Sequence, residues 1–295
     1  MSAPLIVVSG ASGQLGRTFA EIWPTAAIPA YSFLALDRTE LDISEPEQVD
    51  AVLSELRPAV IINAAAYTQV DKAESDSDNA HLINATALEA LAGWAARNDS
   101  RFFHISTDFV FDGSGKSPYR PDQEAVPVGV YGASKLAGEE KLSNLAPGNS
   151  VIVRTSWLYS EHGNNFVKTM LRLMGERDEL SVVDDQIGSP TSTHSLANLI
   201  FAMIQQGGAK GIYHWTDGAS ISWYEFAKEI QKQALSEGLL EKAITIHPIK
   251  TEEYPTPARR PAYSVLDRGK ALDEFDCPGQ DWQEQLSIVI RALAA

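Results

Sequence analysis

The sequence has 295 residues, of which 44% are hydrophobic and 21% are charged, an ordinary balance for a globular chain. Its formal net charge is −15, which argues against nucleic-acid binding because a binder of phosphates needs a basic face. Cys277 is the single cysteine, so no internal disulfide can form. The N-terminal apolar run is too short for a signal peptide or a membrane span, and we expect a cytoplasmic protein that has no membrane partner.

Short aliphatic runs alternate with longer helical patterns through the first half of the chain. The predicted strands lie at 5–9, 32–36, 59–63, 101–106 and 150–155. The predicted helices lie near 14–23, 45–56, 80–97 and 131–145. Strands that are apolar on both faces and alternate with helices are typical of a parallel sheet covered on each side. The sequence therefore predicts an α/β fold with a doubly wound parallel sheet of the Rossmann type.

The second half of the chain has a looser pattern. Its predicted helices lie near 165–175, 193–206, 222–236 and 280–293, with turn-rich stretches at 160–165 and 254–264. Polar loops over a rigid scaffold usually carry specificity. We therefore expect a dinucleotide-binding domain over 1–155 and a smaller, mainly substrate-binding lobe over 156–295. The boundary is approximate, because later segments should add strands to the sheet and cross between the lobes.

Three glycines follow the first predicted strand and open the first predicted helix. Gly10, Gly13 and Gly16 stand at a G-x-x-G-x-x-G spacing. Glycines let the backbone approach a pyrophosphate, and a helix N-terminus supplies N–H donors and a favourable dipole. The pattern predicts a dinucleotide site, although a tight strand-to-helix turn alone would give the same three glycines.

The ends of the second and third predicted strands carry residues suited to an adenosine. Asp37 can accept a hydrogen bond from a ribose 2′-OH, whereas the adjacent Arg38 could meet a 2′-phosphate, so the choice between NAD(H) and NADP(H) stays open. Asp42 and Ile43 would lie beside the adenine or would simply enter the next helix. The small residues at 63–66 would let a nucleotide pack closely or would be a plain buried strand end.

Tyr131 and Lys135 stand four residues apart on a predicted helix, so they point the same way. A fixed cation nearby favours the ionised form of a tyrosine and lowers its pKa, which makes Tyr131 a candidate proton donor or acceptor. Thr107 ends the fourth predicted strand and could supply a hydroxyl to the same group. In so acidic a chain an anionic ligand needs local cations, for which the candidates are Lys135, Arg154, Arg259 and Arg260.

Longer motifs stand in a fixed order along most of the chain. They are GASGQLG at 10–16, AAAYTQVDKAE at 64–74, STDFVFDG at 106–113, YGASK at 131–135, RTSWLY at 154–159, DDQIGSPT at 184–191 and RPAYSVLD at 260–267. This ordered set resembles the extended short-chain dehydrogenase/reductase superfamily and, within it, the dTDP-4-dehydrorhamnose reductase family.

The resemblance implies a reduction of the C4 keto group of dTDP-4-dehydro-6-deoxy-L-mannose to dTDP-L-rhamnose, with NADPH or NADH as the cofactor. It implies a catalytic group of Thr107, Tyr131 and Lys135. At the cofactor it places Tyr131 and Lys135, together with Gln14, Leu15, Asp37, Asp42, Ile43, Ala64, Ala65, Ala66 and Tyr67. At the sugar or its diphosphate it places Val70, Asp71, Thr107, Asp108, Trp157 and Arg260. A core position is an equally good interpretation of Trp157.

The chain departs from the family pattern at two positions. Phe109 stands where many relatives carry tyrosine, which removes a hydroxyl but no general acid. Thr18 stands where some relatives use a glutamate in a metal-bridged dimer, so we expect no metal; the sequence leaves a homodimer open.

Two other functions compete with the reductase. A nucleotide-sugar 4,6-dehydratase or 4-epimerase would keep the fold, but dehydration is disfavoured because Asp108 is the one carboxylate directly after Thr107. A non-catalytic binding protein that resembles the regulatory β subunit of methionine adenosyltransferase is the second alternative. The intact catalytic group argues against it.

Overall fold

The computed structural model describes residues 3–26, 28–277 and 281–295. The strands are β1 (Leu5–Ser9), β2 (Ser32–Leu36), β3 (Val60–Asn63), β4 (Arg101–Thr107), β5 (Ser150–Thr155), β6 (Leu158–Tyr159), β7 (Glu179–Val183), β8 (Ile187–Gly188), β9 (Thr191–Ser192), β10 (Gly211–His214), β11 (Ile221–Ser222) and β12 (Thr245–Ile249). The helices are α1 (Gln14–Ile22), α2 (Pro46–Leu56), α3 (Val70–Ala73), α4 (Ser77–His81), α5 (Ala87–Arg97), α6 (Val130–Leu145), α7 (Phe166–Glu176), α8 (Thr193–Gln206), α9 (Trp223–Ser236), α10 (Gly269–Glu274) and α11 (Trp282–Ala294).

The largest sheet has six strands in the order β10-β5-β4-β3-β1-β2, and every pair in it is parallel. Its inner strands are apolar on both faces because both faces are covered. On one face α1 and α8 pack through residues such as Phe19 and Ile200. On the other face α2, α5 and α6 pack through residues such as Leu53, Leu91 and Leu142. The predicted doubly wound sheet is confirmed.

The two strands that follow β1 in the sequence lie on opposite sides of it in the sheet. β2 pairs with one edge of β1 and β3 pairs with the other, so the strand order reverses beside β1. Ligands of open α/β sheets bind in the crevice at such a reversal, outside the carboxyl ends of the strands. The residues after β1, β3 and β4 therefore face one crevice, and α6 carries its own residues to the same end of the sheet.

The later chain builds a separate hydrophobic cluster and also returns to the main sheet. Helices α7, α9 and α11 pack together through residues such as Val167, Phe226 and Leu286, beside the parallel pair β7 and β12. A capping box at Ser222 and Glu225 starts α9, which satisfies two backbone N–H groups at that helix end. β10 then joins the main sheet beside β5.

All five predicted strands form, within one residue of their predicted ends. The predicted helix near 80–97 begins earlier, at Ser77, and contains a π-helical turn over Leu82–Thr86 between α4 and α5. Asn84 in this turn forms hydrogen bonds with the Tyr67 backbone and with Ser134, and such long-range contacts cannot be predicted from local sequence. Among the described residues, no helix is both long and apolar enough to cross a membrane.

Candidate active site

The glycine turn after β1 is closed too tightly to admit side chains. Gly10 has φ 79°, and a Cβ atom there would lie 2.7 Å from the backbone nitrogen of Ala65. A Cβ at Gly16 would collide with the Gly10 carbonyl oxygen. Helix α1 starts after Gly13 with no side-chain cap, so no capping side chain accepts hydrogen bonds from its first backbone N–H groups. These features fit a pyrophosphate held at the N-terminus of α1.

The first two residues of α1 have different surroundings. The Gln14 side-chain oxygen accepts hydrogen bonds from Ser160 Oγ at 3.1 Å and from Asn165 Nδ2 at 2.8 Å, which ties the glycine turn to the predicted turn-rich stretch at 160–165. Leu15 is buried in the hydrophobic cluster of the sheet. Of Leu15, only the backbone is therefore available to a nucleotide.

The predicted adenosine residues lie on an exposed turn after β2. Asp37 Oδ1 accepts hydrogen bonds from the Thr39 hydroxyl at 2.6 Å and from the Thr39 backbone at 2.7 Å, and these bonds hold the pKa of Asp37 below its usual range. Arg38 is exposed and pairs with Asp42 at 2.9 Å. Ile43 is buried among the apolar residues under this turn, so its side chain serves the core.

The small residues after β3 lie directly against the glycine turn. Ala64, Ala65 and Ala66 are half-buried, and Tyr67 is buried. The Asn84 side chain accepts a hydrogen bond from the Tyr67 backbone nitrogen at 2.9 Å and donates one to the Tyr67 carbonyl at 3.0 Å. Asn84 lies in the π-helical turn, a feature that is frequent at functional sites, and it fixes the path of the chain along the crevice.

The end of β4 and the start of α6 bring the three predicted catalytic residues to one place. The Thr107 hydroxyl donates a hydrogen bond to Asp108 Oδ1 at 3.0 Å and lies close enough to the Tyr131 phenol to lower its pKa. Tyr131 packs edge-to-face on Phe109, with ring centroids 5.6 Å apart. Lys135 is 1% exposed and follows Tyr131 by one turn of α6.

The electrostatics of Tyr131 differ from the sequence-based expectation. Burial raises the pKa of Tyr131 to about 12, the charge of Asp108 adds to the rise, and the hydrogen bond with Thr107 opposes it. The predicted lowering of this pKa by Lys135 is therefore wrong for this structure. The Lys135 ammonium donates to the Ile105 carbonyl at 2.7 Å, and its nitrogen lies 3.0 Å from His104 Nε2.

Burial also perturbs two neighbours of the tyrosine. It lowers the pKa of Lys135 to about 8, against the charge of Glu139. It raises the pKa of Asp108 to about 6, against hydrogen bonds with Ser264 and Thr107. Strongly perturbed groups that face one crevice are typical of a catalytic site.

The predicted sugar and diphosphate residues form a second wall of the crevice. Arg260 Nη2 lies 2.7 Å from Asp71 Oδ2, and the Ala258 backbone donates a hydrogen bond to the same carboxylate at 3.2 Å. The Arg260 guanidinium also lies over the Phe109 ring, 5.9 Å from its centroid. Asp71 thus fastens the loop at 254–264 beside the tyrosine, and Val70 precedes it at the start of α3.

Trp157 is half-buried and has φ 47°. Its ring stacks on Trp223 with centroids 3.5 Å apart and an interplanar angle of 12°. A Cβ atom at Gly188 would lie 2.6 Å from the Trp157 ring. The side chain therefore packs within the second lobe as well as following β5 at the carboxyl edge of the sheet.

Arg154 is not available to an anionic ligand, which corrects one of the predicted cations. It is 3% exposed, and its Nη2 lies 2.6 Å from Oε2 of Glu139, which is 2% exposed. Ser106 donates a further hydrogen bond to Glu139 at 2.5 Å. The sequence shows that Glu139 follows Lys135 by one helical turn, but the partner on β5 depends on strand order.

Among the described residues, one cluster of side chains could offer ligands to a metal ion. Glu21, Glu161 and His162 offer ligand atoms within 4.8 Å of one another. These groups already have protein partners: His162 Nε2 lies 2.8 Å from Glu21, and His194 Nε2 lies 2.9 Å from Glu161. Protein contacts thus account for the cluster, and the expectation that no metal is required stays a prediction.

A glycine turn at the reversal of a doubly wound sheet, together with Thr107, Tyr131 and Lys135 at the end of β4 and the start of α6, defines a protein of the short-chain dehydrogenase/reductase class. The chain belongs to the RmlD substrate binding domain family, whose model matches residues 4–295.

Named relatives agree over nearly the whole length. The chain is 42% identical to a dTDP-4-dehydrorhamnose reductase of Aggregatibacter actinomycetemcomitans, covering 98% of this chain and 99% of that protein. It is 39% identical to a dTDP-4-dehydrorhamnose reductase of Escherichia coli, with coverage of 98% and 97%. A crystal structure of the Bacillus anthracis dTDP-4-dehydrorhamnose reductase in complex with NADP superimposes with a TM-score of 0.90 at 38% identity, covering 98% of this chain and 99% of that one.

Proposed function

We propose that this chain reduces the C4 keto group of dTDP-4-dehydrorhamnose to give dTDP-L-rhamnose, with NADPH or NADH as the reductant. The proposal rests on the placement of Thr107 next to Tyr131, with Lys135 one helical turn further along α6. The full-length similarity to proteins named dTDP-4-dehydrorhamnose reductase supports the same reaction. This reaction makes the chain an oxidoreductase of nucleotide-sugar biosynthesis.

Tyr131 and Thr107 each have a role that follows from their chemistry. The reduced nicotinamide supplies a hydride when it is bound. Tyr131 holds a proton on its phenol oxygen, and its raised pKa keeps that proton in place until negative charge develops on the C4 oxygen. Thr107 offers a hydroxyl to the same oxygen. The proton and the hydride together convert the ketone to an alcohol.

The cofactor residues would act mainly through the backbone. The N–H groups at the start of α1 would meet the pyrophosphate, and the close approach of Gly10 to Ala65 leaves a flat surface for the nucleotide. Asp37 and Arg38 would meet the adenosine ribose. Because Arg38 can leave Asp42 for a 2′-phosphate at little cost on the surface, we expect both reduced nicotinamides to serve.

The wall around Arg260 would hold the nucleotide sugar. Arg260 is 24% exposed while paired with Asp71, so one edge of its guanidinium remains free for a diphosphate oxygen. Trp157 would offer its ring face to the sugar or the base. Asp108 and Val70 complete the proposed substrate contacts.

The test starts from dTDP-glucose, which a 4,6-dehydratase and a 3,5-epimerase convert to the keto sugar. This protein is then added with NADPH or NADH, and both nicotinamide oxidation and the product sugar are followed. Oxidation with formation of dTDP-L-rhamnose supports the proposal. Cofactor binding without turnover would favour the binding-subunit alternative, and an epimerised or dehydrated product would favour the other enzymes of this fold.

Three coarser expectations belong to this proposal. We infer that the enzyme works in the cytoplasm, where nucleotide sugars are made. We infer that 1–155 carries mainly the cofactor site and 156–295 mainly the substrate lobe, with β10 and α8 returning to the first. We leave a homodimer as a hypothesis that light scattering of the purified chain would decide.

A further inference from the structure

The loop at 160–165 lies against the side chain of Gln14, the first residue of α1. A Cβ atom at Gly163, which has φ 57°, would lie 3.0 Å from Gln14 Cγ. The Gln14 side-chain oxygen accepts hydrogen bonds from Asn165 Nδ2 at 2.8 Å and from Ser160 Oγ at 3.1 Å. Gln14 follows the glycine turn, whereas the loop leads from β6 into α7 of the second lobe. These contacts therefore join the proposed cofactor site to the second lobe.

The direction of the hydrogen bonds is set at Asn165. Its side-chain oxygen accepts from the Lys168 backbone nitrogen at 3.1 Å and so caps α7. Its side-chain nitrogen lies 2.7 Å from the Ser160 carbonyl oxygen and 3.3 Å from that of His162. A backbone N–H can only donate and a carbonyl oxygen can only accept, so the Asn165 amide cannot be reversed. Its nitrogen faces Gln14, which must present its own oxygen.

Ser160 supports the same orientation of the Gln14 amide. Its hydroxyl oxygen accepts from the His162 backbone nitrogen at 3.1 Å, which leaves its proton for the Gln14 oxygen or the His162 carbonyl. Because the oxygen of the planar Gln14 amide faces the loop, its nitrogen points elsewhere. Among the residues that the structure describes, none accepts a hydrogen bond from Gln14 Nε2. Two N–H donors are thus left at the first position of α1.

An anion at the start of α1 would be sensitive to the orientation of this amide. Helix α1 has neither a side-chain cap nor an acidic residue in its first turn, which suits the pyrophosphate of a dinucleotide. Hydrogen bonds to an ionised acceptor are about twice as strong as neutral ones. In the reverse orientation, Gln14 would turn the lone pairs of its oxygen toward the phosphates and would repel them.

We propose that Asn165 is a positioning residue that fixes the Gln14 amide with its N–H groups toward the pyrophosphate of a bound nicotinamide cofactor. The proposal rests on the proposed function, since it takes the cofactor site at the start of α1 as given. Asn165 acts on the cofactor through Gln14, from a loop that belongs to the second lobe. Cofactor affinity thus depends on a residue outside 1–155.

Asn165→Asp tests the proposal by reversing the contact. The aspartate still accepts from Lys168 and keeps the cap of α7, but its other oxygen can only accept, so Gln14 must turn its N–H groups toward the loop. We expect the Kd of NADPH, measured by fluorescence titration of the full chain without sugar, to rise about tenfold or more. NADH should weaken by the same factor, because both cofactors share the pyrophosphate.

Asn164→Asp is the matched control for the added charge. Asn164 is exposed, and the same new carboxylate there makes no contact that reverses Gln14. Because solvent and salt screen a surface charge, we expect Asn164→Asp to stay within about twofold of wild type in the Kd of both cofactors. Binding is measured without turnover, so a failed prediction here is distinct from failure of the reductase assay.

Gln14→Met separates orientation of the amide from a general disturbance of the loop, because it keeps an unbranched side chain that has no amide. We expect Gln14→Met to raise both Kd values about tenfold, and Asn165→Asp to add no more than about twofold to that variant. Asn165→Ser, which keeps a capping hydroxyl but leaves Gln14 free to turn, should weaken binding less than Asn165→Asp. Kd values of Asn165→Asp within about twofold of those of Asn164→Asp would overturn the proposal, as would an undiminished effect of Asn165→Asp in the Gln14→Met variant.

Discussion

The buried ion pair between α6 and β5 makes a quantitative prediction about stability. Glu139 accepts from Arg154 Nη2 at 2.6 Å, from Arg154 Nε at 2.9 Å and from Ser106 at 2.5 Å. The guanidinium also lies over the Phe111 ring, 5.1 Å from its centroid. Glu139→Gln keeps the shape of the side chain but leaves the Arg154 charge buried without its counter-charge.

The expected cost follows from that uncompensated charge. Breaking a buried pair by removing one partner costs about 3–5 kcal/mol, and the lower end suits a glutamine that still accepts one hydrogen bond. About 3 kcal/mol corresponds to a roughly 150-fold change in the unfolding equilibrium, at about 1.4 kcal/mol for each factor of ten. Replacing both residues, as in Glu139→Leu with Arg154→Met, should recover much of the loss because no charge is then left unpaired.

Urea unfolding, followed by tryptophan fluorescence, measures these differences as shifts in midpoint at constant slope. The matched control is Glu140→Gln, which makes the same chemical change on the exposed face of the same helix and should stay within about 0.5 kcal/mol of wild type. A Glu139→Gln protein within about 1 kcal/mol of wild type would refute the reasoning. It would mean that water or a shifted side chain relieves the charge.

Three further predictions concern the crevice. Tyr131→Phe should keep its melting temperature and NADPH affinity but lose about 10²–10⁴-fold in kcat, as expected for a general acid; near-normal kcat would place the proton donor elsewhere. Wild type should prefer neither NADH nor NADPH by more than about tenfold in kcat/KM, and Arg38→Ala should weaken NADPH alone; an equal effect on both would separate Arg38 from the 2′-phosphate. Because burial raises the pKa of Asp108 to about 6, the folded state binds its proton more tightly than the unfolded state, and this contribution to stability is lost as pH rises from about 4 to 6. Asp108→Asn should therefore gain roughly 2–3 kcal/mol relative to wild type between pH 4 and pH 7, whereas a constant difference in urea midpoints would contradict the raised pKa.

The sequence was sufficient for the elements and for the end of the sheet that carries the site, because both depend on local patterns. Strand runs such as 150–155 are apolar on both faces, and glycine spacing marks the turn after β1. The protonation of Tyr131 was not predictable in this way. It depends on the burial of the phenol and on Asp108, and helical spacing to Lys135 describes neither.

The sequence also does not predict which polar side chains become partners over long range. His104 stands inside an apolar strand run, where a sequence gives no reason to separate it from its neighbours, and its partners come from β3 and α6. The sequence suggests Arg154 as a ligand cation, because its partner Glu139 can be identified only once α6 is known to pack on β5. Such pairs follow from strand order, so they emerge only after the fold is built.

The position of Trp157 shortly after β5 can be predicted from the sequence, whereas its packing partner in the second lobe cannot. Its ring is half-buried and stacks on Trp223, with centroids 3.5 Å apart. Partial burial argues for less than the about 3–5 kcal/mol that loss of a buried tryptophan costs, and the stacking itself contributes about 0.5–1.5 kcal/mol. We therefore expect Trp157→Ala to lose roughly 2–3 kcal/mol of stability.

The same substitution should also raise KM for the keto sugar and leave the Kd of NADPH nearly unchanged, if the exposed part of the ring meets the substrate. Trp223→Ala is the matched control, because it removes the same stacking contact from the other side and leaves the residue that follows β5 in place. Thermal and urea unfolding, with sugar-saturation kinetics on both variants, separate the two roles. A loss of stability in both variants with a raised KM in Trp157→Ala alone means that Trp157 packs and binds. An equal rise of KM in both would assign the effect to displacement of the lobe, and unchanged stability in Trp157→Ala would refute the packing role.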